Sequence, residues 1–185
     1  MSEKKYVAYV GFYTHGSSRQ GIHVYDVDVE KGTLTERSSV EVSNASHMAV
    51  SKNGKYLYSI EDEGVAVFKR DKNGDLSRIN SVNIDGMRGC FLSTDVDGKY
   101  LYVAGYHDGK VTVVHTHKDG RLGSLVDGVF HTGLGSVAER NFRPHVNCVR
   151  PTPDNKYLCA VDNGIDQVKI YRVNKLRNKL ELVDI

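Results

Sequence analysis

Residues suited to acid–base chemistry and anion binding cluster between positions 140 and 162 of this 185-residue chain. His145 follows Arg143 and Pro144, and an imidazole, which titrates near ~6.5, can act as a general acid or base at neutral pH. Arg140 and Arg143 carry guanidinium groups that bind phosphate or carboxylate through paired hydrogen bonds. Asp162 could orient His145 or bind hydroxyl groups of a substrate. We therefore predict that His145 and Asp162 are catalytic and that both arginines bind substrate.

Three further side chains are weaker substrate-binding candidates. Glu61 and His107 lie in earlier repeats at the place that corresponds to Asp162, and Gln167 follows the turn after Asp162. Simpler interpretations stay open for the whole set. The histidine can hydrogen-bond at the start of a strand, the arginines can serve solubility, and Asp162 can belong to an ordinary Asp-Asn-Gly turn.

No metal or cofactor is predicted. His115 and His117 lie two residues apart, so they share one face of a strand, but no third ligand accompanies them. The sequence contains neither a phosphate-binding glycine loop that opens a helix nor a Gly-x-Ser-x-Gly elbow. The odd number of cysteines, three, and their spacing favour reduced, mostly buried thiols in a cytosolic protein, although Cys90 could act alone as a nucleophile.

The composition is that of an ordinary globular domain. The chain is 39% hydrophobic and 26% charged, and its net charge is +2. This balance does not call for nucleic acid or an anionic membrane as a partner. No apolar run approaches the ~20 residues of a membrane helix, and the start lacks the apolar core of a signal peptide. We therefore predict a cytoplasmic protein with a small-molecule substrate.

Internal repeats predict the elements that position these residues. Three segments share a Lys-Tyr-Leu core whose lysines are Lys55, Lys99 and Lys156, so the intervals are 44 and 57 residues. The first interval matches the roughly 40–45 residues of a four-stranded propeller blade. The second interval has 13 extra residues, which fall between Val126 and Arg143. In each repeat, Asn-Gly, Asp-Gly or Asp-Asn turns separate strands in which apolar and polar residues alternate.

The predicted fold is all-β, a β-propeller with four-stranded antiparallel blades. The blades cover approximately residues 1–43, 44–86, 87–131 and 144–185 of one partial propeller domain. The first blade lacks its first strand, so the chain has about three and three-quarter blades. Because propellers close with roughly four to eight blades and no strand is left to complete the first one, we expect the N-terminal half of a larger propeller.

Several stretches resemble the seven-bladed lactonase family, which includes bacterial 6-phosphogluconolactonase and fungal muconate-lactonizing enzymes. The similar segments are Tyr9 to Thr14, Gly21 to Asp26, and ERNFRPHVNCVRPTPDNKYLCAVDNGIDQVKIYR from Glu139. Members of this family are about twice as long as this chain, which supports the half-propeller interpretation. The chain has Cys90 followed by Phe91, whereas many relatives have Cys-His there.

The resemblance implies metal-free hydrolysis of a phosphorylated sugar lactone, 6-phosphogluconolactone, with His145 matching the histidine of the family's pocket. The family's Arg and Glu come from blades beyond Ile185, so this chain alone could be inactive. A muconate-type lactonizing enzyme is the nearest enzymatic alternative. A non-catalytic binding propeller and an inactive fragment that self-associates through exposed blade flanks are the others.

Overall fold

A computed structural model describes residues 6–14, 19–136 and 142–185, which form four antiparallel sheets without helices. Fifteen strands alternate with short turns in these ranges. They are β1 (Tyr6–Gly11), β2 (Gln20–Asp28), β3 (Thr33–Glu41), β4 (Met48–Val50), β5 (Tyr56–Glu61), β6 (Gly64–Arg70), β7 (Leu76–Asn83), β8 (Phe91–Thr94), β9 (Tyr100–Gly105), β10 (Lys110–Thr116), β11 (Leu122–Phe130), β12 (Val146–Pro151), β13 (Tyr157–Asp162), β14 (Gln167–Asn174) and β15 (Lys179–Asp184).

The predicted propeller architecture is confirmed. The first sheet has the order β1-β2-β3, and the other three are four-stranded meanders, β4 to β7, β8 to β11 and β12 to β15. Within the described ranges β1 pairs only with β2, so its other edge lacks the strand that the later sheets place there. The chain therefore forms three complete blades and one three-stranded blade.

Each hydrophobic core lies between two consecutive sheets. Phe68 of the second sheet packs with Ile22 of the first, and Ile60 of the second packs with Leu101 of the third. Tyr102 of the third sheet packs with residues of the fourth. Both faces of the two central sheets are thus buried, which explains their nearly continuous apolar strands. A blade in this arrangement depends on its neighbours for burial.

The turns of successive blades have the same backbone geometry. Gly54, Gly98 and Asn155 follow the first strands of their sheets with φ of 71°, 67° and 56°. Only glycine and, less readily, asparagine adopt this left-handed conformation without strain. This explains the Asn-Gly, Asp-Gly and Asp-Asn pairs that marked the repeats.

The extra segment of the second interval lies in the connection between the third and fourth sheets. β11 continues to Phe130, where Phe130 pairs with Lys110, so the connection to the fourth sheet spans residues 131–145. The sequence expectation placed the extra residues between Val126 and Arg143, a range that overlaps this connection. Cross-strand pairing of Val129 with Val111 keeps the strand going, because β-branched pairs on a half-buried face stabilise a sheet.

No helix in the described ranges has the length and apolar character needed to cross a membrane.

Candidate active site

The turns after the second strands and the connections between sheets lie at the same end of the sheets, which we call the mouth. The turns join β5 to β6, β9 to β10 and β13 to β14, and the longest described connection is 131–145. Each blade therefore presents two loops at the mouth, where side chains from different blades can meet.

His145 is held at the mouth by its own backbone. Its N–H donates to Asp162 Oδ1 at 2.7 Å, and its carbonyl accepts from the N–H of Asn163 at 3.2 Å. Gly164 packs directly against this backbone, because a Cβ built on Gly164 would lie 2.1 Å from the Arg143 oxygen and 2.7 Å from the His145 nitrogen. The start of β12 and the turn after β13 are consequently locked together.

The His145 imidazole has one nitrogen engaged. Nδ1 lies 2.7 Å from the Tyr106 carbonyl oxygen, which can only accept, so Nδ1 carries the proton in the neutral ring. The ring stacks on Tyr106 with centroids 4.4 Å apart and packs edge-on against Phe142 at 6.3 Å. Among the described residues none hydrogen-bonds Nε2. That nitrogen is then the unprotonated one, as a general base requires.

Asp162 lies beneath His145 and does not contact its ring. Oδ1 accepts the backbone N–H groups of His145 and Gly164, and Oδ2 accepts from His131 Nδ1 at 2.7 Å. Both side chains of the His131–Asp162 pair have an exposed fraction of 0%. Asp162 was expected to orient His145 or to bind substrate hydroxyl groups, and the structure shows it bonded to the His145 backbone N–H with its carboxylate buried.

His131 was missed by sequence reasoning. Burial lowers the pKa of His131, and this effect outweighs the raising effect of the hydrogen bond that His131 donates to Asp162. Its Nε2 is buried without a partner among the described residues, which also favours the neutral ring. The sequence feature that could have identified His131 is its position directly after β11, at the start of the extra segment.

Of the two arginine candidates, only Arg143 lies within the described residues. Arg143 is exposed, and its guanidinium lies 5.5 Å from the centre of the Phe142 ring, the ring that also packs against His145. It forms no ion pair with a described residue. Arg140 lies outside the described residues.

Glu61, His107 and Gln167 are not drawn into contact with His145. Glu61 pairs with Arg78 at 2.8 Å and lines a groove of about 580 Å³ between the first and second sheets. His107 is exposed, and its ring packs edge-on against Tyr106 at 5.6 Å. Gln167 is half-buried and pairs with Asp162 across the strands. Of these three, His107 and Gln167 flank the residues that hold His145.

The structure argues against Cys90 as a lone nucleophile. Burial raises the pKa of Cys90 to about 11, so its thiol stays protonated near neutral pH, and it donates to the Val146 carbonyl at 3.4 Å. The rings of His115 and His117 lie 4.9 Å apart. No group of three metal-ligating side chains occurs in the part of the chain that the structure describes.

The repeated antiparallel sheets and the histidine at the mouth define a propeller of the lactonase type. The model of the family "Lactonase, 7-bladed beta-propeller" matches residues 7–184, and the chain belongs to this family. Over 175 residues it is 40% identical to a 6-phosphogluconolactonase of Bacillus subtilis. The matched region covers 91% of this chain and 50% of that protein. A 6-phosphogluconolactonase of Formosa agariphila is 30% identical, with 90% of this chain and 49% of that protein covered.

A solved structure supports the same assignment. The periplasmic gluconolactonase of Pseudomonas aeruginosa superposes with a TM-score of 0.87 at 29% identity, over 97% of this chain and 55% of that one. The chain thus spans about half the length of the curated relatives it matches. Since that solved relative is periplasmic, a cytoplasmic location stays a prediction.

Proposed function

We propose that this chain supplies the general-base half of a lactone hydrolase site, with 6-phosphogluconolactone as substrate. The observation that carries the proposal is the fixed His145 ring, with Nδ1 bonded to Tyr106 and Nε2 left to take a proton. The names of the Bacillus subtilis and Formosa agariphila relatives support the substrate.

In the proposed reaction, Nε2 of His145 removes a proton from water as the water oxygen attacks the lactone carbonyl carbon. The tetrahedral intermediate collapses with cleavage of the bond to the ring oxygen. The proton held on His145 then passes to that oxygen, which becomes a hydroxyl group, and the product is a carboxylic acid that ionises in water. Donors for the intermediate's oxyanion would be required nearby.

Exposed Arg143 is the described residue best suited to the substrate phosphate. It has no carboxylate partner among the described residues, and it shares the Phe142 ring with His145. A guanidinium binds phosphate through two parallel hydrogen bonds. Arg140 is proposed to assist it, on sequence grounds alone.

The first prediction tests His145. His145→Gln keeps a polar side chain of similar reach but removes the base, so the rate above spontaneous hydrolysis of 6-phosphogluconolactone should fall about 10²–10⁴-fold. The rate is followed by titration of the acid released. His23→Gln, on the first sheet, is the matched control and should leave the rate unchanged.

Product binding separates loss of chemistry from loss of the site. NMR titration of the wild-type chain with 6-phosphogluconate should shift the His145 ring signals, and Arg143→Ala should weaken that binding. If the chain neither accelerates hydrolysis nor binds the product, the proposal is wrong. Unchanged hydrolysis in His145→Gln would instead remove the histidine from the mechanism.

A further inference from the structure

Three equivalent grooves lie at the end of the sheets opposite the mouth, one between each pair of neighbouring blades. Their volumes differ widely. The groove between the first and second sheets measures about 410 Å³, the one between the second and third about 670 Å³, and the one between the third and fourth about 10 Å³. We call the second of these the blade 2–3 groove.

The residue at one repeated position differs among the three grooves. The residues Arg70, Thr116 and Val173 each donate their N–H to the carbonyl of the lysine of the Lys-Tyr-Leu core, at 2.8, 2.7 and 3.0 Å. Arg70 crosses its groove to bond the Tyr9 hydroxyl at 2.8 Å, and Val173 packs into the third core. Thr116 is shorter than Arg70, and its hydroxyl turns back to the Gly98 carbonyl at 2.7 Å. The blade 2–3 groove is therefore more open than the first groove.

The acidic residues of the first groove are replaced in the blade 2–3 groove. In the turn after β6, Asp71 and Asp75 lie beside Lys72. The corresponding turn after β10 has His117 and Arg121 at the two aspartate positions. The positive charge of the first groove is thus balanced by aspartates of its own turn. The turn after β10 has no aspartate at those two positions.

The cations lining the blade 2–3 groove have no ion-pair partner among the described residues. They are Lys52, Lys99 and Lys118, and His115 and His117 lie with them. The one carboxylate in the lining, Asp97, is paired with Lys175 at 2.9 Å.

Two further carboxylates lie nearby and are also engaged. Asp119 is paired with Arg121 at 2.9 Å. The buried Asp95 accepts the backbone N–H groups of Lys99 and Tyr100. These acids offset part of the positive charge of the groove, since Lys99 acts on Asp97 and His117 acts on Asp119, but they form no ion pair with Lys52 or Lys118.

From this we infer that the blade 2–3 groove binds a small phosphate-bearing molecule. Lysine recognises phosphate as a point charge, and three lysines line this groove together with two histidines. The volume lies within the roughly 300–1,000 Å³ of small-molecule sites. The groove begins where β10 ends, and the six steps between its seven residues, at about 3.4 Å each, place it roughly 20 Å from the mouth, so it is separate from the candidate active site.

Thr116→Arg gives a test in which space and charge act in opposite directions. The variant adds a positive charge but narrows the groove, as Arg70 does where it crosses its own groove to Tyr9. Titration with pyrophosphate, followed by amide NMR shifts and calorimetry, should show wild-type binding centred on Gly98 and Gly120. We expect Thr116→Arg to weaken it at least about tenfold. Tighter pyrophosphate binding by Thr116→Arg would overturn the inference, because simple charge attraction predicts that result.

A second pair of variants keeps the test informative if Thr116→Arg unfolds. Lys99→Ala with Lys118→Ala should weaken pyrophosphate binding, while Lys72→Ala, at the same turn position in the balanced groove, should not. Equal weakening by Lys72→Ala would mean diffuse attraction and would overturn the site. Tighter binding of a single-stranded oligonucleotide that is lost in the same double variant would overturn the small-molecule assignment. Loss of lactone hydrolysis in His145→Gln has no bearing on these outcomes.

Discussion

At the scale of single residues, the candidate site depends on which groups are buried and paired. Both oxygens of Asp162 accept hydrogen bonds, from His131 and from two backbone N–H groups, so the His145 ring is the member of this group that keeps a nitrogen without a partner among the described residues. A carboxylate that accepts hydrogen bonds from fixed donors holds those donors in register. The Asp162 carboxylate is thus a positioning group for the main chain of His145.

The buried pair predicts a pH dependence of stability. Because the pKa of His131 is lowered in the folded state, the unfolded chain binds a proton that the folded chain does not. Stability is then complete above the unfolded pKa of ~6.5 and falls as the pH drops below it, by at most about 1.4 kcal/mol per pH unit. Urea unfolding between pH 7.5 and 5.5 measures this slope, and His131→Asn should reduce it.

His47 requires a matched variant in that experiment. Burial first and Arg150 second lower the pKa of His47, so it contributes in the same direction. His47→Gln should remove its own share and leave the share of His131. A slope in His131→Asn equal to that of the wild type would contradict the assignment of a neutral buried His131.

At the scale of elements, the site is built by close contact between a turn and a strand start. The turn from Asp162 to Gln167 approaches the backbone of Arg143 and His145 so closely that only a residue without a Cβ fits at Gly164. Close approach of two backbones is one of the uses of glycine. The catalytic histidine candidate is therefore positioned by main-chain packing as much as by its hydrogen bonds.

Gly164→Ala should damage both stability and the site. The methyl group would have to displace the Arg143 carbonyl and the His145 backbone, so we expect destabilisation of about 1–3 kcal/mol, as for other overpacked positions. Urea unfolding gives this value, and the His145 ring signals in NMR report the displacement. A Cβ added at Gly32 meets open space, so Gly32→Ala should cost only the backbone strain of its φ of 64°. Equal effects on the His145 signals from both variants would argue against the close-contact explanation.

At the scale of the whole molecule, the fourth sheet presents an apolar flank that no described element covers. Its cross-strand pairs Cys159–Ile170 and Val161–Val168 face away from the third core, and Val168 is 47% exposed. A blade buries both faces only against two neighbours. The relatives, which are about twice as long, contain additional chain.

We predict that the 185-residue chain self-associates through this flank. Light scattering should show an apparent mass that rises with concentration, and Val168→Lys with Ile170→Lys should reduce the rise, because exposed apolar patches drive association. Ser124→Lys, which adds a charge on β11 of the third sheet, is the control. A monomer at all concentrations in the wild-type chain would contradict this prediction.

The repeats alone determined the fold class. Lys55, Lys99 and Lys156 mark equal strands, and the Asn-Gly, Asp-Gly and Asp-Asn turns mark hairpins because few residues adopt their left-handed φ. These are local properties, so they can be read from neighbouring residues. The same local reasoning placed His145 at the start of a strand, beside a turn that contains Asp162.

Only the tertiary structure decided the partners of these groups. His131 and Asp162 are 31 residues apart in sequence, and Tyr106 and His145 are 39 apart, so no local pattern could pair them. The blade 2–3 groove is likewise more open than the first groove, where a neighbouring blade has Arg70 in place of Thr116, and its volume depends on how two sheets pack. Spacing determines which strands form, whereas the packing of one sheet on the next determines which side chains are buried, paired or left open to a ligand.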